Sequence, residues 1–255
     1  MLIIISPAKT LDWESSFPDF ELKSPRLLNR STQLVEELHH YSSADLKKLM
    51  GISDALSQLN FERFQTWQPS HHPGNARPAI FTYKGDVFQG IDIEQFSQKD
   101  LQRAQKHLRI LSGLYGVLHP MDLIQPHRLE MGTKLKVGEH KNLYEFWGNT
   151  IHESLGEDLE ANASNWILNL ASQEYSQSAK LKSFNKRIIS PRFLDFHRDK
   201  YKMISFFAKK ARGLMTRYAI QQNISTPEEL KGFNLEGYYF HPDFSKEDEP
   251  CFVRD

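Results

Sequence analysis

The sequence predicts an α/β fold in which a mixed central sheet is flanked by helices, with a helical unit and a basic cleft added to it. The chain begins with a run of four apolar residues, Leu2–Ile5, which is typical of a buried strand. Further strand-like runs alternate with segments of helical periodicity, and the connections between them vary too much in length for a regular βαβ series. Hydrophobic residues at 39% and charged residues at 25% are close to the averages of folded proteins, so we do not expect disorder.

The first third of the chain predicts one strand followed by a helical unit. The strand at residues 2–5 ends in a turn-rich stretch, and an irregular surface segment follows as far as Ser24. Ser24 and Pro25 are expected to open the first helix, as its cap and its first-turn residue. The predicted helices of the unit are 26–40, 44–50 and 53–66. We therefore expect a single domain over residues 1–255, with residues 24–67 as a helical subregion.

The remaining two thirds predict alternating strands and helices. Residues 69–78 are rich in Pro, Gly and Asn, and should form an exposed connection. Ser97 and Asp100 are spaced as a capping box at the start of a helix that ends near residue 107. The predicted strands are 79–83, 108–113, 166–170 and 187–190, and the predicted helices are 97–107, 143–155 and 206–221.

The cysteine content and the hydropathy of the chain bear on its compartment. A single cysteine, Cys251, rules out an intrachain disulfide framework and suits a reducing compartment, so we expect a cytoplasmic protein. No stretch approaches the roughly 20 apolar residues that span a bilayer. We therefore expect no membrane partner, and we expect a monomer.

Charge is distributed unevenly along the chain, although the formal net charge is zero. Residues 180–217 contain twelve basic side chains and only two acidic ones, Asp195 and Asp199. Residues 227–255 contain eight acidic side chains and three basic ones. Such an asymmetry indicates an anionic partner for the basic half.

The segment from Leu46 to Ser53 resembles a helix-hairpin-helix. In such a motif a short turn aims the backbone N–H groups of the second helix at a DNA phosphate. Gly51 would permit the turn, Ser53 would cap the second helix, and two lysines would add positive charge. The typical motif has two glycines, and Ser53 stands where the second would be. An ordinary corner between two helices remains the alternative.

Two glycine-flanked segments hold polar residues that could line a cleft. Residues 112–116 place a glycine turn after a strand, but their spacing matches neither a dinucleotide-binding fingerprint nor a P-loop. Asp122, Arg128 and Glu130 could form a buried ion network or take part in chemistry, and a structural role is the simpler explanation. The candidate polar residues of the cleft are Ser112, Glu130, Asn169, Ser172 and Glu174.

Aromatic residues are interleaved with the basic run, where they could form a stacking surface for single strands or pack in the core. The eleven histidines do not form a pattern of ligands on one helix face, so we expect neither a metal nor another cofactor. Cys251 has no basic neighbour before Arg254, and no Gly-x-Ser-x-Gly elbow occurs, so no residue is predicted to act as a catalytic nucleophile.

Several separate motifs resemble those of the YaaA family of peroxide stress proteins, over essentially the full chain. They are Ser6-Pro7-Ala8-Lys9-Thr10-Leu11, Leu111-Ser112-Gly113-Leu114-Tyr115-Gly116, Arg128-Leu129-Glu130-Met131-Gly132, Asn169-Leu170-Ala171-Ser172 with Glu174-Tyr175, and Lys209-Lys210-Ala211-Arg212-Gly213. The resemblance implies a cytoplasmic role in protection from hydrogen peroxide, linked to a lowering of free intracellular iron. It also implies an unusual α/β fold whose basic cleft and helix-hairpin-helix bind double-stranded DNA.

We therefore expect a double-stranded DNA-binding protein of the peroxide stress response, and we lean against an enzyme. The alternative is an enzyme that acts on nucleic acid or on a phosphorylated substrate in the cleft. With three to six phosphates neutralised, the log–log slope of affinity against salt should lie between about −3 and −5. The candidate DNA-binding residues are Lys9, Lys47, Lys48, Gly51, Ile52, Ser53, Arg128, Lys209, Lys210, Arg212 and Arg217.

Overall fold

A five-stranded sheet with the first strand of the chain at its centre organises the protein. The computed structural model describes all residues from Met1 to Asp255. The strands are β1 (Leu2–Ile5), β2 (Thr10–Leu11), β3 (Arg77–Pro78), β4 (Tyr83–Lys84), β5 (Leu108–Ser112), β6 (Gly116–Leu118), β7 (Leu123–Ile124), β8 (Trp166–Leu170), β9 (Arg187–Ile189), β10 (Arg192–Phe196), β11 (Tyr201–Lys202), β12 (Tyr239–Phe240) and β13 (Cys251–Arg254).

Ten α-helices and five short 3-10 helices surround the strands. The α-helices are α1 (Leu28–Leu38), α2 (Ser43–Met50), α3 (Asp54–Thr66), α4 (Ala79–Thr82), α5 (Asp86–Ile91), α6 (Gln98–His107), α7 (Leu143–Trp147), α8 (Thr150–Ala161), α9 (Gln173–Ser178) and α10 (Ser205–Gln221). The 3-10 helices are Ile93–Gln95, Leu181–Ser183, Pro227–Gly232, Leu235–Gly237 and Pro242–Phe244. None of these helices combines the length and the apolar character that a membrane crossing requires.

The central sheet has the strand order β6-β5-β1-β8-β9, in which β5, β1, β8 and β9 are parallel and β6 is antiparallel. Ile3 in β1 lies opposite Leu108 on one side and Leu168 on the other. All four residues of β1 are fully buried, as expected for a parallel strand covered on both faces. The predicted mixed α/β fold is therefore confirmed.

A second sheet of four strands has the order β11-β10-β13-β12, and none of its strands was predicted from the sequence. In it β13, from the acidic end of the chain, runs parallel to β10. The guanidinium of Arg254 in β13 lies 2.5 Å from the carboxylate of Asp195 in β10. Arg187 forms ion pairs with Asp248 and Glu228 as well. The acidic segment thus folds back on the basic one, and its carboxylates neutralise two cations of the basic run, Arg187 and Lys210.

Three local expectations were wrong. Residues 79–82 form a short helix rather than a strand, and the Thr82 hydroxyl donates to the Pro78 carbonyl at 2.7 Å across its single turn. The helix predicted over 143–155 is two helices, because Gly148 ends the first with a positive φ of 52°. The first helix begins at Leu28 without a side-chain cap, and not at Ser24 and Pro25.

The polar interior of the body is built on a buried ion cluster. The Arg109 guanidinium, 2% exposed, holds the Asp158 carboxylate with two hydrogen bonds of 2.6 and 2.8 Å. Arg26, the predicted first residue of the first helix, donates to the same carboxylate at 2.6 Å and lies before the helix begins. Burial opposes ionisation of Asp158, yet the two guanidinium groups keep its pKa below the usual value. Asp122 forms no ion pair with these groups or with Arg128, and accepts from the His119 N–H at 2.8 Å.

Helices α5 and α10 cross at two glycines. A Cβ atom on Gly213 would lie 1.9 Å from the carbonyl oxygen of Val87, and one on Gly90 would lie 2.2 Å from that of Lys210. Only residues without side chains permit this backbone contact. The crossing places the basic residues of α10 beside the segment that follows β4.

Candidate functional site

The candidate site lies at the carboxyl edge of the central sheet. Ser6 follows β1, Ser112 ends β5 and Ser172 lies just after β8, so the ends of three adjacent parallel strands meet there. The Ser6 hydroxyl accepts a hydrogen bond from the Ser172 N–H at 2.8 Å. β1 has β5 on one side and β8 on the other, which makes it the point where the strand order reverses. Ligands of open α/β sheets bind in the crevice outside such an edge.

A pocket of about 400 Å³, here called the edge pocket, opens at this position. The ends of the strands form one wall, residues 127–130 a second, and β4 with the start of α5 a third, while α10 supplies Lys209 and Arg212. The edge pocket is lined by Ser6, Pro7, Ala8, Lys9, Thr10, Tyr83, Lys84, Gly85, Asp86, Val87, Phe88, Ser112, His127, Arg128, Leu129, Glu130, Ser172, Glu174, Tyr175, Lys209 and Arg212.

The structure brings most of the candidate cleft residues into this pocket or beside it. Those that line the edge pocket are Lys9, Ser112, Arg128, Glu130, Ser172, Glu174, Lys209 and Arg212. Lys210 and Arg217 line an adjoining depression, which shares Tyr83, Lys84, Gly85 and Phe88 with the edge pocket. Together the two hollows form one cleft. Asn169 lines neither of them, because its side chain donates to the Ser190 hydroxyl at 3.2 Å.

Most of the cations in the cleft have carboxylate partners. Glu130 lies between two of them, 2.6 Å from Lys9 and 3.0 Å from Arg128. In the adjoining depression the ion pairs are Lys210 with Glu236, at 2.7 Å, and Arg217 with Asp92, at 3.0 Å. Lys209 and Arg212 form no ion pair. The excess of positive charge is therefore confined to the edge pocket, whose lining has five basic and three acidic side chains.

The turn between α2 and α3 has the local geometry that its sequence predicts. Gly51 ends α2 in the left-handed region with φ of 62°, and Ser53 is the N-cap of α3, accepting from the Leu56 N–H at 3.4 Å. Ile52 is buried. Lys47 is paired with Asp54 at 2.8 Å, whereas Lys48 is exposed and has no ion pair. The 13 residues of α3 separate this turn by about 20 Å from Trp67, which is anchored in the body.

Buried aromatic and histidine side chains that were not predicted from the sequence lie behind the edge pocket. His127 Nδ1 lies 2.8 Å from the Gln125 carbonyl, which can only accept, so its Nε2 is free to accept from the Tyr83 hydroxyl 3.4 Å away. Burial lowers the pKa of His127 to about 4, which keeps the ring neutral. Burial also raises the pKa of Tyr83, and the Ser112 hydroxyl offsets part of that rise. These two residues were missed because they follow no motif and come together only at the edge of the sheet.

A second part of this buried cluster connects the pocket wall with the helical unit. The ring of Tyr115 lies 5.1 Å from that of His127. Its hydroxyl accepts from the Trp67 indole N–H at 3.1 Å and from the Gln125 N–H at 3.0 Å. The hydroxyl is then left to donate to His71 Nε2, 3.0 Å away. The C-terminal end of α3 is therefore fixed to the wall of the edge pocket through hydrogen bonds.

The chain has no group of three or more His, Cys, Asp or Glu side chains placed to hold a metal ion. In the aromatic–basic run, Phe193 is in the core, whereas Phe196 and Phe206 are half exposed.

Comparison with protein families identifies a match over most of the chain. The model of the family described as peroxide stress protein YaaA matches residues 1–244. That range includes β1, the lining of the edge pocket, the turn between α2 and α3, and the whole of α10. The chain therefore belongs to this family, and it is a peroxide stress protein.

Proposed function

We propose that this peroxide stress protein binds double-stranded DNA through the phosphate backbone and so limits oxidative damage to it. The observation that carries the proposal is the position of Lys209 and Arg212, two cations without carboxylate partners that line the edge pocket from one helix. Lys and Arg side chains that replace the counterions of phosphates supply most of the affinity of sequence-independent DNA binding. The family resemblance favours the same partner.

The turn between α2 and α3 is the second proposed contact. A helix N-terminus with a small capping residue presents free backbone N–H groups, which favour a phosphate. Lys48 adds an exposed, unpaired charge one turn away. Asp54, in the first turn of α3, opposes an anion, and its ion pair with Lys47 removes that lysine from the count of available cations.

The ion pairs lower the salt dependence that we expect. Lys48, Lys209 and Arg212 are the three candidate cations without an acidic partner, and three neutralised phosphates give a log–log slope of about −2 to −3. The sequence alone predicted a steeper slope, because it did not reveal which cations were already neutralised.

A titration of a labelled duplex over a range of salt concentrations tests the proposal. We expect the slope given above, and we expect Lys209→Gln with Arg212→Gln to weaken binding for every sequence alike. Lys186→Gln is the matched control, because Lys186 is exposed and precedes β9, at the opposite edge of the parallel sheet from the cleft. A slope near zero, or equal losses in the control and in the double variant, would overturn the proposal.

The lowering of free intracellular iron belongs to the same proposed role. It is implied by the family resemblance, and we assign it to no residue of the cleft. If the iron effect is separate from DNA binding, the double variant described above should lower free iron when it is expressed in a strain that lacks the protein. If the variant does not lower free iron, the iron effect and DNA binding depend on the same residues.

An enzyme that acts on nucleic acid or on a phosphorylated substrate is the second candidate. One observation favours it: the edge pocket combines the hydroxyl groups of three serines with the carboxylates of Glu130 and Glu174, groups that can take part in acid–base chemistry. The test is incubation with nicked, flapped and abasic duplexes and with nucleotides, with and without Mg²⁺. Absence of turnover in all of these reactions would contradict this candidate.

A further inference from the structure

Arg212 is the most informative residue of the edge pocket. Its side chain projects from α10 into the pocket and is half buried, and no carboxylate lies within ion-pair distance. Burial lowers the pKa of its guanidinium, and no nearby carboxylate offsets this shift. Arginine nevertheless remains protonated in proteins. A partly buried cation without a partner is costly, and it is stabilised when an anion takes the vacant place.

Further donors face the same space. Arg128 lines the pocket as well, and its Nη2 donates to Glu130 at 3.0 Å. Lys209 lies at the exposed rim. Two guanidinium groups and an ammonium group suit a phosphate with several free oxygens better than a carboxylate, because a terminal phosphate offers three acceptor oxygens.

The rest of the pocket has a different chemistry. Its floor carries the hydroxyl groups of Ser6, Ser112 and Ser172, and its wall carries the carboxylates of Glu130 and Glu174. Carboxylates repel a second anion but accept hydrogen bonds from hydroxyl and amino groups. A ligand that fits both halves therefore has one phosphate end and one uncharged body rich in O–H or N–H groups.

The volume of the pocket sets the size of that body. About 400 Å³ lies near the lower end of the range for small-molecule sites, which runs from roughly 300 to 1,000 Å³. This space suits a single sugar or nucleoside and not a dinucleotide. An internal phosphodiester of duplex DNA has two free oxygens, one fewer than a terminal phosphate, and therefore matches these three cations less well.

We propose that the edge pocket binds a phosphate monoester with a hydroxyl-bearing body, either a sugar phosphate or a nucleoside monophosphate, with its phosphate on Arg212, Arg128 and Lys209. The inference concerns binding and not turnover, and it does not require the protein to bind duplex DNA. The inference rests on the second candidate function in one respect: it names the class of substrate that an enzyme with this pocket would bind.

Isothermal titration calorimetry on the full chain tests the inference with four probes: adenosine 5′-monophosphate, ribose 5-phosphate, adenosine and inorganic phosphate. We expect one site per chain for at least one monoester, with weaker binding of adenosine and of inorganic phosphate. Arg212→Gln should weaken the monoester about ten- to a hundredfold, the range for hydrogen bonds to a charged group. The preferred probe identifies the body as a nucleoside or as a sugar alone.

Arg198→Gln is the matched control, because Arg198 is exposed at the turn between β10 and β11 and does not line the pocket. It should leave monoester binding unchanged. If Arg212→Gln melts at a lower temperature than the native protein, Lys209→Gln at the exposed rim serves instead, with a smaller loss expected.

The inference is overturned if neither monoester binds saturably at millimolar concentration. It is also overturned if inorganic phosphate or adenosine binds as tightly as the monoesters, or if both pocket variants bind as the native protein does. Duplex titrations of the same preparations separate the two proposals: retained duplex binding without monoester binding refutes only the pocket ligand, and the reverse result refutes only the DNA role.

Discussion

Glu130→Gln should strengthen duplex binding, although it removes two ion pairs. Glu130 lies between Lys9 and Arg128, at 2.6 and 3.0 Å. Its substitution would leave both cations in the cleft without a partner and would remove a negative charge facing the phosphates. If both cations then neutralise a phosphate, the log–log slope against salt becomes steeper by about 1.8, from about −2.7 to about −4.5.

The gain in affinity follows from the charge that is removed. A carboxylate about 6 Å from a phosphate repels it by roughly 0.7 kcal/mol in water and by roughly 2.8 kcal/mol at an effective dielectric constant of 20. Glu130 is 27% exposed and Lys9 is 62% exposed, so the lower half of that range applies. We expect about three- to tenfold tighter binding at low salt, which corresponds to about 0.7 to 1.4 kcal/mol.

Fluorescence anisotropy with a labelled duplex at four or more salt concentrations measures both quantities. Glu94→Gln is the matched control, because Glu94 lines the adjoining depression and forms no ion pair, so its removal frees no cation. That variant should shift the affinity slightly and leave the slope unchanged. Weaker binding by a folded Glu130→Gln protein, or a slope equal to the native one, would refute the reasoning that carboxylates keep cations in this cleft from binding phosphates.

Two further predictions concern stability. Gly213→Ala should lower the free energy of unfolding by about 1–3 kcal/mol, because the new methyl group would overlap the Val87 carbonyl. Gly156→Ala lies inside a helix, where the new methyl group would only touch the Phe184 ring at 3.8 Å, and it should raise the free energy of unfolding by about 0.5–1 kcal/mol. Urea denaturation measures both variants, and equal effects would contradict the account of the crossing. Burial raises the pKa of Asp122 to about 7, despite its hydrogen bond from the His119 N–H. This carboxyl therefore stabilises the fold fully below pH 4, and its contribution is lost as the pH rises towards 7. Asp122→Asn should make the free energy of unfolding less dependent on pH over this range, and an unchanged pH profile of unfolding would contradict this prediction.

The sequence revealed those parts of the structure that depend on local chemistry. β1 was predicted from four consecutive apolar residues, and the turn at Gly51 from a glycine followed by a capping serine. Both features depend on a few neighbouring residues: the strand on its run of apolar side chains, and the turn on the backbone freedom of glycine and the capping hydroxyl of serine. The motif residues around Ser112 and Arg128 also proved to lie near one another, because each follows or faces the edge of the same sheet.

The ion pairs of the cleft could not be predicted from the sequence. Arg217 in the cleft pairs with Asp92, just as Arg109 in the interior pairs with Asp158. No rule of sequence spacing connects positions so far apart in the chain. The second sheet was missed for the same reason, since its pairing of β10 with β13 is decided by tertiary contacts. Counting charges along the chain therefore overestimated the positive character of the cleft.

The central position of β1 also determines when the site can exist. Ile3 pairs with residues near 108 and 168, so the sheet closes only after loops of more than a hundred residues have been ordered. Non-local pairing of this kind slows folding, whereas α2 and α3 contact each other across a short turn and can form early. Until β5 and β8 have both docked, the apolar strand β1 is exposed and prone to aggregate, and the edge pocket has no floor. A fragment of the chain that lacks β5 or β8 would therefore lose the pocket.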